Sequence, residues 1–212
     1  MPRVSSAVRS VSWTCAYASA ILGHGDPVGG GVDLSRSAVV GRISALRAGV
    51  GVGMIGEPYV TLTVLGVLAT GVMAGVFCAF SVLVMRGLAG LPPAQGVAAM
   101  NAINTAAMTP AFMLLFAGSA VVCAVIAVVT FVLWPDRGTV ELLLGSALYL
   151  FGAFGLTLVA NVPRNEALLK LDPGTPEAAA YWPSYVREWT MWNHVRAIAS
   201  AAAALVYMLA LT

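Results

Sequence analysis

The chain has 212 residues, 59% of them hydrophobic and 9% charged, with a formal net charge of +2. A soluble domain carries about 25% charged residues, so this composition and its long uncharged runs exclude an ordinary soluble protein and indicate an integral membrane one. So few cations leave no basic stripe for nucleic acid.

Residues 1–53 differ from the rest. They hold five arginines (Arg3, Arg9, Arg36, Arg42 and Arg47) and a glycine-rich loop from Gly23 to Gly31. They read as a disordered N-terminal extension or as a mis-called start, with Met54 just before the first apolar run. A basic amphipathic surface helix around 38–50 is a further alternative. Residues 54–212 read as one all-α domain, a four-transmembrane-helix bundle with spans at about 59–85, 108–134, 140–162 and 186–211.

The first span is uncharged from Pro58 to Met85, longer than the ~20 residues a crossing needs. Gly71-x-x-x-Gly75 within it predicts close helix packing. After a loop at 86–93, the next uncharged run is too long for one helix, and Pro110 divides it. The part before Pro110 is read as a lead-in that kinks into span two. Its Asn101 and Asn104, three residues apart, share a face and are expected to point into the bundle. Trp134 to Gly138 reads as a turn with an interfacial tryptophan. Span three follows, and Pro163 should kink its end, because proline brings no N–H and clashes with a carbonyl one turn earlier. Pro173-Gly174 stops that helix. Thr175-Pro176-Glu177 starts a short one, with a capping hydroxyl and Pro at the first position. Tyr181, Trp182, Tyr185, Trp189 and Trp192 suit the headgroup level, and Pro183-Ser184 is read as the beginning of span four. Arg86, Arg164, Lys170, Arg187 and Arg196 fall on one side of such a bundle and Arg137 on the other. The positive-inside rule then places the 1–2 and 3–4 connections in the cytoplasm, unless the arginines of residues 1–53 cancel the bias.

The chemistry-bearing residues gather in two patches. One is Asn161-Val162-Pro163-Arg164-Asn165. The other is Glu188 to Arg196, at the start of the last apolar segment. Ionisable groups at membrane depth are costly and usually face a bundle interior or a wet cavity. At roughly 100° per residue, Trp189, Asn193 and Arg196 form one narrow helix face. His194 lies about 160° from Arg196 by the same arithmetic and sides with Arg187 and Met191. Asn193 and Arg196 are therefore the inward pair. Arg196 needs a carboxylate partner or an anionic or phenolic ligand, with Glu166 the first choice of acid and Glu188 the second. Asn161 and Asn165 flank the Pro163 kink, where polar groups can also serve a carbonyl that has lost its helical donor. Cys15, Cys78 and Cys123 have no metal or redox spacing and read as small apolar fillers. His24 and His194 are too few and too isolated for a zinc or haem site, so no metal or other cofactor is expected.

The two patches, Asn161-Val-Pro-Arg-Asn165 and Trp189-x-x-Trp192-Asn193-x-x-Arg196, resemble the DUF1772, or anthrone oxygenase-like, membrane family. Gly75-x-Phe77-x-x-Phe80-Ser81 and Met100-Asn101-x-x-Asn104 are also similar, so the resemblance runs over about 59–211. It implies a small four-helix membrane protein, some of whose relatives oxidise the ring methylene of polyketide anthrones to a quinone carbonyl with molecular oxygen and no cofactor. Arg196 with Asn193 and Asn161 would clamp the enolate oxygen, and Glu166 or His194 would take the carbon proton. Asn165, Asn101 and Asn104 would contact the substrate, and Trp189, Trp192 and Phe154 would wall a flat phenolic ring. The alternative, from another class, is a non-enzymatic membrane protein that holds a lipophilic ligand or a partner subunit, including a second copy of itself, through the same polar cluster. Both readings place a multi-pass protein in a lipid bilayer, expected to be the plasma membrane of a bacterium.

Overall fold

The computed structural model describes residues 52–135 and 137–212, with side chains described from Tyr59 onward. The readings of residues 1–51, with His24, Cys15 and the basic amphipathic helix, lie outside the described residues. Among those described there is no strand.

The first helix is α1 (Val52–Ala79), a widened π-helical turn (Phe80–Val84) and α2 (Met85–Ala89) in unbroken succession. Next come α3 (Pro93–Ala106) and α4 (Pro110–Leu133). The expected kink at Pro110 is instead a full break. Thr109 is extended (φ −66°, ψ 147°) and Pro110 takes the first position of a new helix, as its fixed φ and missing N–H favour. The third long helix is α5 (Thr139–Tyr149), two π-helical stretches (Leu150–Gly155 and Thr157–Asn161) and α6 (Val162–Leu169). The last helix, α7, is continuous over Pro176–Leu209. Thr175 caps it, its hydroxyl accepting from the Ala178 N–H at 3.3 Å. Pro183 does not start a separate helix, as the sequence suggested, but sits inside α7.

Tyr59–Ala89, Pro110–Leu133 and Thr139–Leu169 are each long and apolar enough to cross a bilayer. α7 is 34 residues long, about 50 Å at 1.5 Å per residue, and packs against α1 and α5 to complete the bundle. Asn193, His194 and Arg196 in its middle make it the least apolar of the four long helices. Large side chains point outward: Leu114, Phe151, Val159 and Ile198 are each at least 69% exposed. A bilayer covers such a surface at no cost, whereas water would not. The protein is an integral membrane protein.

The buried side chains form two clusters. One lies within the bundle and includes Met73, Phe77, Phe116, Tyr149 and Tyr207. The other lies at one end, where α2, α3, α6 and the first half of α7 meet around Met85, Met100, Leu168, Trp182 and Tyr185. Close backbone approach falls elsewhere than Gly71 and Gly75. A Cβ at Gly75 would meet nothing within 4 Å, while one at Gly66 would lie 2.7 Å from Ile126 and one at Gly145 2.9 Å from the Tyr207 ring.

Candidate functional site

Where the two clusters meet, five segments close round a cavity of about 60 Å³. Its polar side is built by Thr157, Asn161 and Asn165 on the third helix, Asn193 and Arg196 on α7, and Asn104 on α3. Its apolar side is Phe77 and Phe80, Met100 and Ile103, and Phe112 and Phe116. Thr157, Asn161 and Asn165 recur every four residues, so a near-helical path stacks them on one stripe.

Arg196 is the centre of the polar side and is only 5% exposed. It donates from Nη1 to Thr157 Oγ1 at 3.0 Å and from Nη2 to Asn193 Oδ1. Its guanidinium carbon lies 4.5 Å from the Phe77 ring centroid and 5.2 Å from that of Trp189. Aromatic faces attract a cation electrostatically and more so away from water, which makes a buried guanidinium tolerable here. Asn193 is fully buried and donates from Nδ2 to the Phe77 carbonyl at 2.6 Å and to Ser81 Oγ at 2.7 Å. It thus ties α7 to the π-helical turn of the first helix and holds an acceptor against Arg196.

Both irregular backbone stretches that adjoin the cavity have a visible role. Widened turns leave helix carbonyls short of a donor and recur at functional sites. The Phe77 carbonyl, just before Phe80–Val84, takes its donor from Asn193. The Ala160 carbonyl, just before Pro163, accepts from Arg164 Nη1 at 2.7 Å. The loosened turn expected before Pro163 is present as a π-helical stretch, and Arg164 reaches back to the Ala160 carbonyl, next to the Val159 carbonyl whose α-helical donor proline removes.

Asn161 donates from Nδ2 to the Trp189 carbonyl at 3.3 Å, and its buried Oδ1 has no hydrogen-bond partner among the described residues. Asn104 is 4% exposed, and its buried Nδ2 has none either. One acceptor and one donor are thus left in the cavity region for an occupant. Asn165 also lines the cavity. Its Oδ1 accepts from Tyr185 Oη at 2.9 Å and from Trp189 Nε1 at 3.0 Å, so it fixes the Trp189 ring of the lining and the Tyr185 ring beside it.

Several candidates do not reach the cavity. His194 is exposed on the outer face of α7, beside Arg187 and Met191, as helical phase demands; the base role considered for it does not fit that position. Glu188 does not pair with Arg196. It forms an ion pair with Arg164, whose Nη2 lies 2.9 Å from Oε2. Glu166 is half-buried and does not line the cavity. Trp192 lies under Arg164, 6.0 Å from its guanidinium carbon, and Phe154 stacks on Phe116 at 5.1 Å behind the wall. Asn101 is half-buried outside the lining. Thr157 was missed, although its place four residues before Asn161 was legible. Among the described residues, no three His, Cys, Asp or Glu side chains gather as a metal-ligand set.

The segment that carries most of this polar side also decides the likeness. Residues 112–206 match the family model described as anthrone oxygenase. No curated protein and no solved structure matches the chain. The anthrone oxygenase match takes in Phe116, Thr157, Asn161, Asn193 and Arg196. It begins after the first helix and α3, so Phe77, Ser81 and Asn104 join the site from outside the matched segment, and the resemblance is narrower than the sequence reading of 59–211.

Proposed function

We propose that the cavity binds the oxygen of an enolisable, flat phenolic ring and promotes its oxidation by molecular oxygen, an anthrone oxygenase-like reaction. The observation that carries this reading is the lining itself: among the described residues it holds one cation, Arg196, and no carboxylate, between aromatic faces. A preorganised cation in a water-poor site stabilises an oxyanion far better than water does.

The chemistry balances without a further reactant. Loss of one methylene proton from an anthrone puts negative charge on its carbonyl oxygen, where Arg196 and the Asn104 amide would donate. Asn161 Oδ1 would accept from a neighbouring phenol hydroxyl. The anion gives one electron to oxygen, and the resulting pair forms a C–O bond as a peroxide, which takes up a proton. Loss of the second methylene hydrogen as a proton, with cleavage of the O–O bond, releases one water and leaves the quinone carbonyl. Among the described residues the lining contains no carboxylate or imidazole; in this reading the first proton passes to water, and Arg196 acts by making the ring more acidic. A three-ring substrate exceeds 60 Å³, so Ile103 and Phe112, both half-buried at the cavity edge, must swing aside to admit it.

The test uses the full chain in lipid nanodiscs with a simple anthrone, following oxygen uptake and quinone absorbance. Arg196→Met and a chelator-treated sample run beside it. Quinone formation above the spontaneous rate is expected, with about a 100-fold loss in Arg196→Met, the usual effect of removing one oxyanion donor. A folded Arg196→Met protein with the parental rate would sink the clamp.

A second reading has an observation of its own. A cavity of about 60 Å³ has room for a few waters, and drug-sized sites run to several hundred. The same residues would then be a hydrogen-bonding node in a membrane protein that binds a lipophilic ligand or partner elsewhere. Parental protein with no activity on any anthrone, but a large stability loss in Arg196→Met, would favour it.

A further inference from the structure

A second concavity lies on the outside of the bundle, between the end of the first helix and the middle of α7. It is a groove of about 390 Å³, with Arg86, Arg187 and His194 at its rim and Met85, Val186 and Met191 along its floor. Among the described residues, no carboxylate lines it. Among the described residues, Glu188 is the acid beside Arg187. Its Oε2 is held by Arg164, and its Oε1 is 3.9 Å from Arg187, whose side chain is 74% exposed. The groove therefore carries net positive charge.

Its height in the membrane follows from the helix packing. The Phe77 and Phe116 rings meet edge to face, with centroids 6.4 Å apart. α4 begins six residues from Phe116, at Pro110, so that level is reached near residue 83 of the first helix. Arg86 stands about 5 Å beyond it at 1.5 Å per residue. Asn193 bonds to Phe77 and Ser81, which brings Arg187, six residues earlier on α7, to about the same level. With the start of α4 taken as the edge of the hydrocarbon, this level falls in the headgroup layer.

Below the arginines the surface is apolar and open. Met191, Val195 and Ile198 are exposed on α7, and Cys78 and Val82 on the first helix. Gly75, on the same side by helical spacing, has space where a Cβ would be. A cationic rim over an apolar channel is complementary to one kind of molecule.

We infer that this groove binds one anionic phospholipid, with its phosphate between Arg86 and Arg187 and an acyl chain along Gly75, Cys78 and Ile198. Basic pockets between membrane helices recognise such headgroups, and each arginine near the surface strengthens binding about fivefold. Zwitterionic lipids bring an ammonium that the two arginines repel.

The experiment uses the full chain, purified in detergent and stripped of lipid. Binding of fluorescent phosphatidylglycerol in mixed micelles is compared with phosphatidylcholine of the same chains, for the parent and for Arg86→Gln/Arg187→Gln. The parent should prefer phosphatidylglycerol by tenfold or more, and the double variant by less than twofold. Equal binding of the two lipids by the parent would overturn the site, as would a preference kept by the variant. Both side chains are exposed, so the variant should keep the parental melting temperature. Inorganic phosphate at tens of millimolar should leave the lipid bound. Full displacement would make this a simple anion site and remove the acyl channel.

Discussion

Asn193→Ala tests the brace at the centre of the bundle. The Asn193 carboxamide makes three hydrogen bonds while fully buried: to the Phe77 carbonyl at 2.6 Å, to Ser81 Oγ at 2.7 Å, and from Arg196 Nη2. A neutral hydrogen bond contributes about 0.5–1.5 kcal/mol net, and one to a charged group about 1.5–3 kcal/mol. Interhelical polar contacts within membranes average lower, about 0.6 kcal/mol, because the unfolded chain in the bilayer also finds partners. Two neutral bonds and one charged bond, discounted in that way, give a loss of roughly 2–4 kcal/mol. Denaturant unfolding of the full chain in mixed micelles would measure it. A cycle with Ser81→Ala would isolate that bond, with an expected coupling of about 0.6–1 kcal/mol. A loss under about 0.5 kcal/mol, together with zero coupling, would refute the claim that Asn193 ties the last helix to the first.

Further outcomes follow from single contacts. Gly96→Ala would put a Cβ 2.6 Å from the Trp182 ring. It should destabilise by about 1–3 kcal/mol, as overpacking does, and shift the tryptophan emission. Gly75→Ala meets open space and should be neutral or stabilising by up to about 1 kcal/mol from helix propensity, read as an unchanged or raised melting temperature. Tyr207→Phe removes the buried 2.8 Å bond to Ser146 Oγ and should cost about 1 kcal/mol in the same unfolding assay. Glu188→Gln breaks the pair with Arg164, whose partners are 26% and 44% exposed. Solvent screening keeps that loss below about 1 kcal/mol, so a larger drop on denaturant titration would mean that Glu188 has a further role.

The sequence by itself determined the class, the helices and part of the site. Uncharged runs longer than a bilayer crossing, cut by Pro110, by Trp134 to Gly138 and by Pro173-Gly174, allow few other arrangements, because an unpaired backbone group cannot stay in hydrocarbon. Helical phase set Asn193 and Arg196 on one face and His194 on another, and both are found so. Proline's missing N–H foretold the irregular turn before Val162. Only the tertiary structure decided which groups meet. A helical face fixes a direction but not the neighbour standing there, so neither the Thr157 and aromatic contacts of Arg196 nor the claim of Arg164 on Glu188 could be read from spacing. The close approaches at Gly66 and Gly145 depend on where the Ile126 and Tyr207 side chains land across the interface. The cavity size of about 60 Å³ is likewise a remainder, the space left when side chains from five segments pack together, and no local pattern encodes it.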